Sequence, residues 1–325
     1  MSKPNVYVTR MIPQEGIGLL QATCDVEINP HDRPLTREEL LEQVKGRDGI
    51  LCLLTDKIDA EVYEAAQGVK GFANYAVGYD NINVPEATKR GLPISNTPGV
   101  LTDATAEMAW ALLFGIGRRM IESDTFMRSG QWEGWGPMQF IGGDVTGQTL
   151  GIVGAGRIGT AMAMKSRGFN MKVLYADAFQ NETLEQELGA QKVDLDTLLA
   201  ESDFVSVHVP LLPETKHLFG KTEFQKMKKT AYLINTARGP IVNEVELVEA
   251  LKNEEIAGAG LDVYEFEPKM VEGLKELSNV VVTPHTASAT VSSRGSMARL
   301  AATNLLAMLE GKEAPNCVNP EVYGK

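Results

Sequence analysis

The stretch "TLGIVGAGRIGTAMAMKSRGF" at 149–169 constrains this chain more than any other. An apolar run enters Gly154-Ala155-Gly156-Arg157-Ile158-Gly159, and a helical pattern leaves it. Glycine-rich turns are common, so G-x-G-x-x-G alone is a weak signal; between a strand and a helix it has a physical reading. The first glycine permits a tight turn, the second lets the backbone approach a pyrophosphate, and the third lets the helix pack on the strand. The helix N-terminus adds free N–H groups and positive potential for phosphates. Gly154, Gly156, Arg157 and Ile158 are therefore expected at a dinucleotide. The next β-rich run, "MKVLYAD", ends at Asp177, 21 residues after Gly156. A carboxylate there accepts hydrogen bonds from both adenosine ribose hydroxyls and repels a 2′-phosphate. Ala178, Phe179, Gln180 and Asn181 follow without a cation, so NAD is expected over NADP.

Around this motif, short β-rich runs alternate with helical patterns, the mark of parallel α/β structure. "NVYVT" (5–9), "GILCLL" (49–54) and "GFANYAV" (71–77) read as strands, with helical spacing in "LTREELLEQV" and "DAEVYEAAQ". Downstream, "DFVSVHVP", "TAYLINTA", "IAGAGLDV" and "NVVVTPH" read as further strands, each preceded by helical sequence. One long helix is expected from about Thr102 to Phe126 and another over 292–311. With 325 residues, length predicts about two domains. The pattern makes the first domain discontinuous, 1–101 with 292–325, and inserts the cofactor domain, 102–291, between its parts.

Three loops follow strands in the second half. "LINTARGPIVNE" places Arg238, "GAGLDVYEFEP" places Asp262 and Glu267, and "VVTPHTASAT" places His285. Residues at the carboxyl ends of parallel strands line the ligand crevice of an open sheet. A cation, a carboxylate and an imidazole from successive strand ends can converge. Each also has a plainer reading, as a surface ion pair, a solvated charge or a turn former.

At this point the sequence resembles the D-isomer-specific 2-hydroxyacid dehydrogenase family over nearly its whole length. The resemblance rests on "NYAVGYDNINV", "TPGVLTDATAE", the glycine fingerprint, "NTARGP", "LDVYEFEP" and "TPHTASAT", in that order. Within the family, "EPKMVEGL" and Ala287 are similar to the NADH-dependent hydroxypyruvate reductases and the glyoxylate reductases beside them. The resemblance implies two Rossmann-like domains, one flavodoxin-like and one dinucleotide-binding. It also implies reversible reduction of small 2-keto acids, hydroxypyruvate to D-glycerate and glyoxylate to glycolate. Arg238 would bind the substrate's carboxylate and keto oxygen, since a guanidinium offers paired donors and a permanent charge. His285 would donate the proton to the developing alkoxide, and Glu267 would favour its charged form and fix its tautomer. Asp262 would hold the nicotinamide carboxamide. Thr105, Val209, Pro210, Thr236 and Ala237 would line the cofactor groove. Backbone N–H groups of Val77 and Gly78 would receive the substrate carboxylate. "WEGWGPMQF" (132–140) implies a homodimer contact, with Trp135 or Met138 as a specificity candidate. Two rivals stay open: a D-2-hydroxyacid dehydrogenase for another keto acid such as pyruvate, and an NAD-sensing corepressor-like binding protein. Glu267 argues against formate dehydrogenases of this fold, which pair the histidine with glutamine.

Composition narrows the classes. The net charge of −12 repels phosphate backbones and anionic lipid, so nucleic acid and membrane are poor partners. The most apolar run, "MAWALLFGIG", is about half a membrane span, and the opening "MSKPNVYVTRMIP" lacks the features of a signal peptide. Cys24, Cys52 and Cys317 have no metal-ligand spacing, and a reduced, cytoplasmic setting fits them. No metal site is expected. His31, His208 and His217 are expected to be structural or solvent-exposed.

Overall fold

In a computed structural model, which describes residues 3–324, the chain forms two compact units. Met1, Ser2 and Lys325, assigned above to the first domain, lie outside the described residues, as do the first two positions of the signal-peptide reading. Residues up to Leu101 and from Ala289 onward make one unit; Thr102–Ser288 makes the other. The strands are β1 (Asn5–Val8), β2 (Asp25–Ile28), β3 (Gly49–Cys52), β4 (Phe72–Asn74), β5 (Ile94–Ser95), β6 (Thr149–Val153), β7 (Lys172–Ala176), β8 (Gln191–Lys192), β9 (Phe204–Val207), β10 (Tyr232–Asn235), β11 (Gly258–Leu261) and β12 (Val280–Val282).

The first unit carries a parallel sheet in the order β2-β1-β3-β4-β5. That is the flavodoxin-like arrangement, with its switch point between β1 and β3. The helix Val291–Leu309 buries Met297, Ala298, Ala301, Leu305 and Met308. Thr290 caps it by accepting the Ser293 N–H. It lies close on the helix Gln14–Thr23, where a Cβ at Gly16 would sit 2.5 Å from the Ala298 carbonyl oxygen.

The second unit has seven parallel strands in the order β12-β11-β10-β9-β6-β7-β8. From the centre, β6 to β8 are added toward one edge of the sheet and β9 to β12 toward the other, so the switch point lies between β6 and β9. The helix Thr102–Gly117 packs on the β10–β12 side. Strand β11 allows this by carrying glycine: a Cβ at Gly260 would meet Leu112 at 2.9 Å, and one at Gly258 would meet Ile116 at 3.0 Å. Leu112 and Ile116 are thereby buried, each contributing roughly 1.5–3 kcal/mol.

Two expectations are corrected. The helix expected to run from Thr102 to Phe126 is two helices, Thr102–Gly117 and Met120–Arg128. Arg119 is left-handed (φ 50°), and the Gly143 N–H takes the Gly117 carbonyl at 2.8 Å. Among the described residues, no helix lies between β11 and β12. The segment after Glu267 folds as tight turns, with Leu274 N–H on the Val271 carbonyl (3.2 Å) and Leu277 N–H on that of Leu274 (3.3 Å). Strands β2, β5 and β8, which the sequence reading did not single out, are two to four residues long. Among the described residues, no helix is long and apolar enough to cross a membrane.

Candidate active site

At the switch point, β6 runs into Gly154, whose φ of 94° needs glycine. A Cβ there would lie 2.7 Å from Val209 N and 2.8 Å from the His208 carbonyl carbon. The fingerprint turn is thus seated against the end of β9, which places Val209 and Pro210 beside it. Gly156 is the N-cap of the helix Arg157–Lys165, and a Cβ on it would meet nothing within 4 Å. Arg157 and Ile158 open that helix. The Asp177 carboxylate accepts the Ala155 N–H at 2.7 Å and the Phe179 N–H at 2.9 Å. These two bonds hold it at the lip of the turn. One cation does approach: Lys192, from β8, donates to the Ala178 carbonyl at 3.1 Å. Sequence adjacency missed it because fourteen residues separate the two. Partly buried His208 bonds Ser206 Oγ at 2.8 Å, and burial pushes its pKa down to about 3.

Thr105 lies in the first turns of the helix Thr102–Gly117 and is buried. Thr236, beyond β10, is buried too, and its Oγ1 has no hydrogen-bond partner. Asn235 shapes the turn that follows: its Oδ1 accepts the Ala237 N–H and its Nδ2 donates to the Arg238 carbonyl, both at 3.0 Å. The Arg238 guanidinium donates to the Ala237 carbonyl at 2.8 Å. Gly239 then packs on the peptide joining Tyr264 and Glu265, leaving no room for a Cβ. The arginine turn and the Tyr264–Glu267 loop are therefore in direct contact.

His285 Nδ1 lies 2.9 Å from Glu267 Oε2. Burial pushes the Glu267 pKa up, but the His285 hydrogen bond and charge, the Tyr264 N–H and the charge of Arg238 outweigh it, and the net direction is down. Glu267 thus holds its charge to lower pH than an unpartnered glutamate. His285 itself is left-handed (φ 52°), with its N–H on the carbonyls of Asp262 (2.9 Å) and Thr283 (3.0 Å). Asp262 is fully buried. Its carboxylate accepts Thr283 Oγ1 at 2.5 Å and the N–H groups of Thr286 and Ala287 at 2.8 and 2.7 Å. It fixes the turn on both sides of His285. The Tyr264 hydroxyl ties the loops together by donating to the Thr283 carbonyl at 2.8 Å.

In the first unit, Asn96 Nδ2 donates to the Val77 carbonyl at 2.7 Å, and Asn74 Nδ2 to that of Gly78 at 2.9 Å. In a trans peptide the N–H points opposite the preceding carbonyl, so these bonds aim the Gly78 and Tyr79 N–H groups the other way. Sequence reasoning missed both asparagines; their signal was an amide side chain on either side of a glycine loop.

The domain-family model for the D-isomer specific 2-hydroxyacid dehydrogenase NAD-binding domain matches residues 110–287. The chain belongs to the D-isomer-specific 2-hydroxyacid dehydrogenases. It is 49% identical to the glyoxylate reductase of Thermococcus litoralis over 98% of each chain. Among solved structures it resembles a protein from Thermus thermophilus (TM-score 0.89, 41% identity, covering 97% of this chain and 99% of that one). It also resembles an NADPH-dependent glyoxylate/hydroxypyruvate reductase from Sinorhizobium meliloti, solved with NADP and malonate (TM-score 0.86, 31% identity, covering 98% and 97%). The second unit is accordingly a nicotinamide-dinucleotide-binding domain. Its residues fit the cofactor: space is open at Gly156, a helix N-terminus faces the fingerprint turn, and the buried Thr236 hydroxyl lacks a partner. Among the described residues, no group of three or more His, Cys, Asp or Glu is placed to hold a metal.

Proposed function

We propose that the protein reduces glyoxylate and hydroxypyruvate to glycolate and D-glycerate with NADH, reversibly. The observation that carries this reading is the His285–Glu267 pair beside Arg238. Arg238 holds the keto acid through paired donors and polarises its carbonyl. With Nδ1 engaged by Glu267, His285 keeps Nε2 for the proton that the developing alkoxide takes. Bound nicotinamide would supply the hydride. Thr236 and Thr105 would meet the cofactor, with Ala237, Val209, Pro210, Arg157 and Ile158 lining its groove. Asp262 holds the His285 turn and would offer Oδ2 to the carboxamide. The Val77–Gly78 loop, its carbonyls held back by Asn96 and Asn74, suits a carboxylate. Asp177 favours NADH, while the Lys192 cation near it would leave some use of NADPH. Steady-state oxidation of NADH and NADPH with glyoxylate, hydroxypyruvate, pyruvate and phenylpyruvate tests the assignment. No turnover with the first two acids would refute it.

A homodimer belongs to the same proposal. The helix Met120–Arg128 has no buried residue, and Met120, Ile121, Met127, Trp135 and Met138 are exposed. Within the chain the helix is held on one side only, with Phe126 against Phe140 at 5.2 Å between ring centroids; short helices depend on packing, and a second copy would cover the exposed side. Sedimentation at micromolar concentration should show a dimer, and a monomer throughout would remove the proposal. The three cysteines are free, in keeping with a cytoplasmic setting.

A further inference from the structure

The loop that carries Glu267 holds a second imidazole–carboxylate pair. His217 Nε2 lies 2.6 Å from Glu265 Oε1, two residues before the carboxylate that meets His285. Glu265 is tied further: its N–H donates to Glu244 Oε2 at 2.8 Å, and its own Oε2 accepts the Glu244 N–H at 3.2 Å. Glu244 is 3% exposed, and its other oxygen accepts the Val271 N–H at 2.9 Å. One buried carboxylate therefore grips the backbone on both sides of Glu267, at 265 and at 271. A buried carboxylate is costly to keep unless it is fully hydrogen-bonded, and apolar packing would close the gap more cheaply. Carboxylate oxygens do what apolar atoms cannot: they set the direction of two backbone N–H groups. On the far side, His217 is itself left-handed (φ 53°), with its N–H on the Pro240 carbonyl at 2.8 Å. It thereby links Glu265 to the turn that follows Arg238.

We propose that Glu244, Glu265 and His217 form a positioning brace, which sets Glu267 at hydrogen-bond distance from His285 and so governs proton transfer without touching substrate. The proposal rests on the reductase reading above. The ionisable groups involved are Glu267, Arg238, Asp262 and Tyr264 around His285, and Glu244 with His217 around Glu265. Loss of the brace lets the Glu267 carboxylate drift from the ring. A carboxylate at hydrogen-bond distance favours a charged imidazole and orients it, so displacing the carboxylate should show in the pH profile of reduction.

The test is the pH profile of kcat/KM for glyoxylate reduction, with thermal melting of each variant alongside. Glu267→Gln serves as the reference and should move the alkaline fall-off to lower pH. Glu244→Gln, Glu265→Ala and His217→Gln should each move it the same way, by about half a pH unit or more. In the Glu267→Gln background they should add no further shift. A fall-off unmoved by folded brace variants, with the reference shifted, overturns the brace alone. An unmoved reference overturns the proton-donor reading and the brace with it. Should Glu244→Gln not fold, His217→Gln decides, because that side chain is 39% exposed and its loss leaves the buried carboxylate bonds in place.

Discussion

Two glycines of one turn should fail in opposite ways. At Gly154 an alanine meets both conformational strain and backbone. A φ of 94° costs an L-residue roughly 1–2 kcal/mol, and the Val209 and His208 backbone atoms at 2.7 and 2.8 Å add about 1–3 kcal/mol of overpacking. Gly154→Ala should therefore lose about 2–5 kcal/mol, and each 1 kcal/mol lowers Tm by roughly 2–4 °C in a unit of this size. Gly156 has φ −73° and open space around its missing Cβ. Gly156→Ala should melt within about 0.5 kcal/mol of the parent without cofactor. Its methyl group, however, fills the approach of the pyrophosphate. Losing one charge-assisted hydrogen bond, about 1.5–3 kcal/mol, weakens NADH binding by roughly 10- to 150-fold. Thermal melting without cofactor, paired with calorimetric NADH titration, separates the two. If Gly156→Ala melts as early as Gly154→Ala, or binds NADH like the parent, the reading of the turn is wrong.

Other outcomes follow from the same geometry. His285→Gln should cut turnover by roughly 10²- to 10⁴-fold while NADH titration stays close to the parent; near-normal turnover would remove it as proton donor. Arg238→Lys should damage keto-acid kcat/KM, because the paired donors are lost, and unchanged kinetics would take Arg238 out of the site. Asp177→Ala should raise NADPH use relative to NADH, and adding Lys192→Ala should reverse part of that gain; an unchanged cofactor ratio in the first variant refutes the role of Asp177. Because its folded pKa is depressed, Glu267 contributes stability that is full above the unfolded carboxylate pKa and lost as pH falls through the folded value. Replacing it with Gln should therefore narrow the difference in melting between pH 7 and the acid range, and an unaltered acid dependence would refute this linkage.

The second unit was largely legible because its local signals agree. A strand, a φ-positive glycine and a helix are contiguous in sequence, and Asp177 ends the adjoining strand. Arg238, Glu267 and His285 were legible as strand-end residues of one sheet. The hydrogen bond between Glu267 and His285, by contrast, is a contact across eighteen residues that only the β11–β12 pairing brings about. What escaped reading depends on partners distant in sequence. Arg119 ends a helix because Gly143 returns to its last turn, and nothing near Arg119 announces that. Lys192 reaches Ala178 from another strand. Glu265 drew no reading of its own, and His217 was expected to be structural or solvent-exposed; their meaning comes from Glu244, twenty-one residues from Glu265. Short strands such as β8 lack the length for a periodic pattern.

Strand β12 ends the seven-stranded sheet, is three residues long, and pairs with β11 alone. His285 hangs from it. Edge segments of this kind open at a fraction of the free energy of global unfolding. His285 is therefore mounted on an edge of the sheet, held by one neighbouring strand, while the glycine turn at β6 stays clamped between two. On warming, the protein should stop turning over substrate while it still binds dinucleotide, and on cooling it should resume work without having to refold.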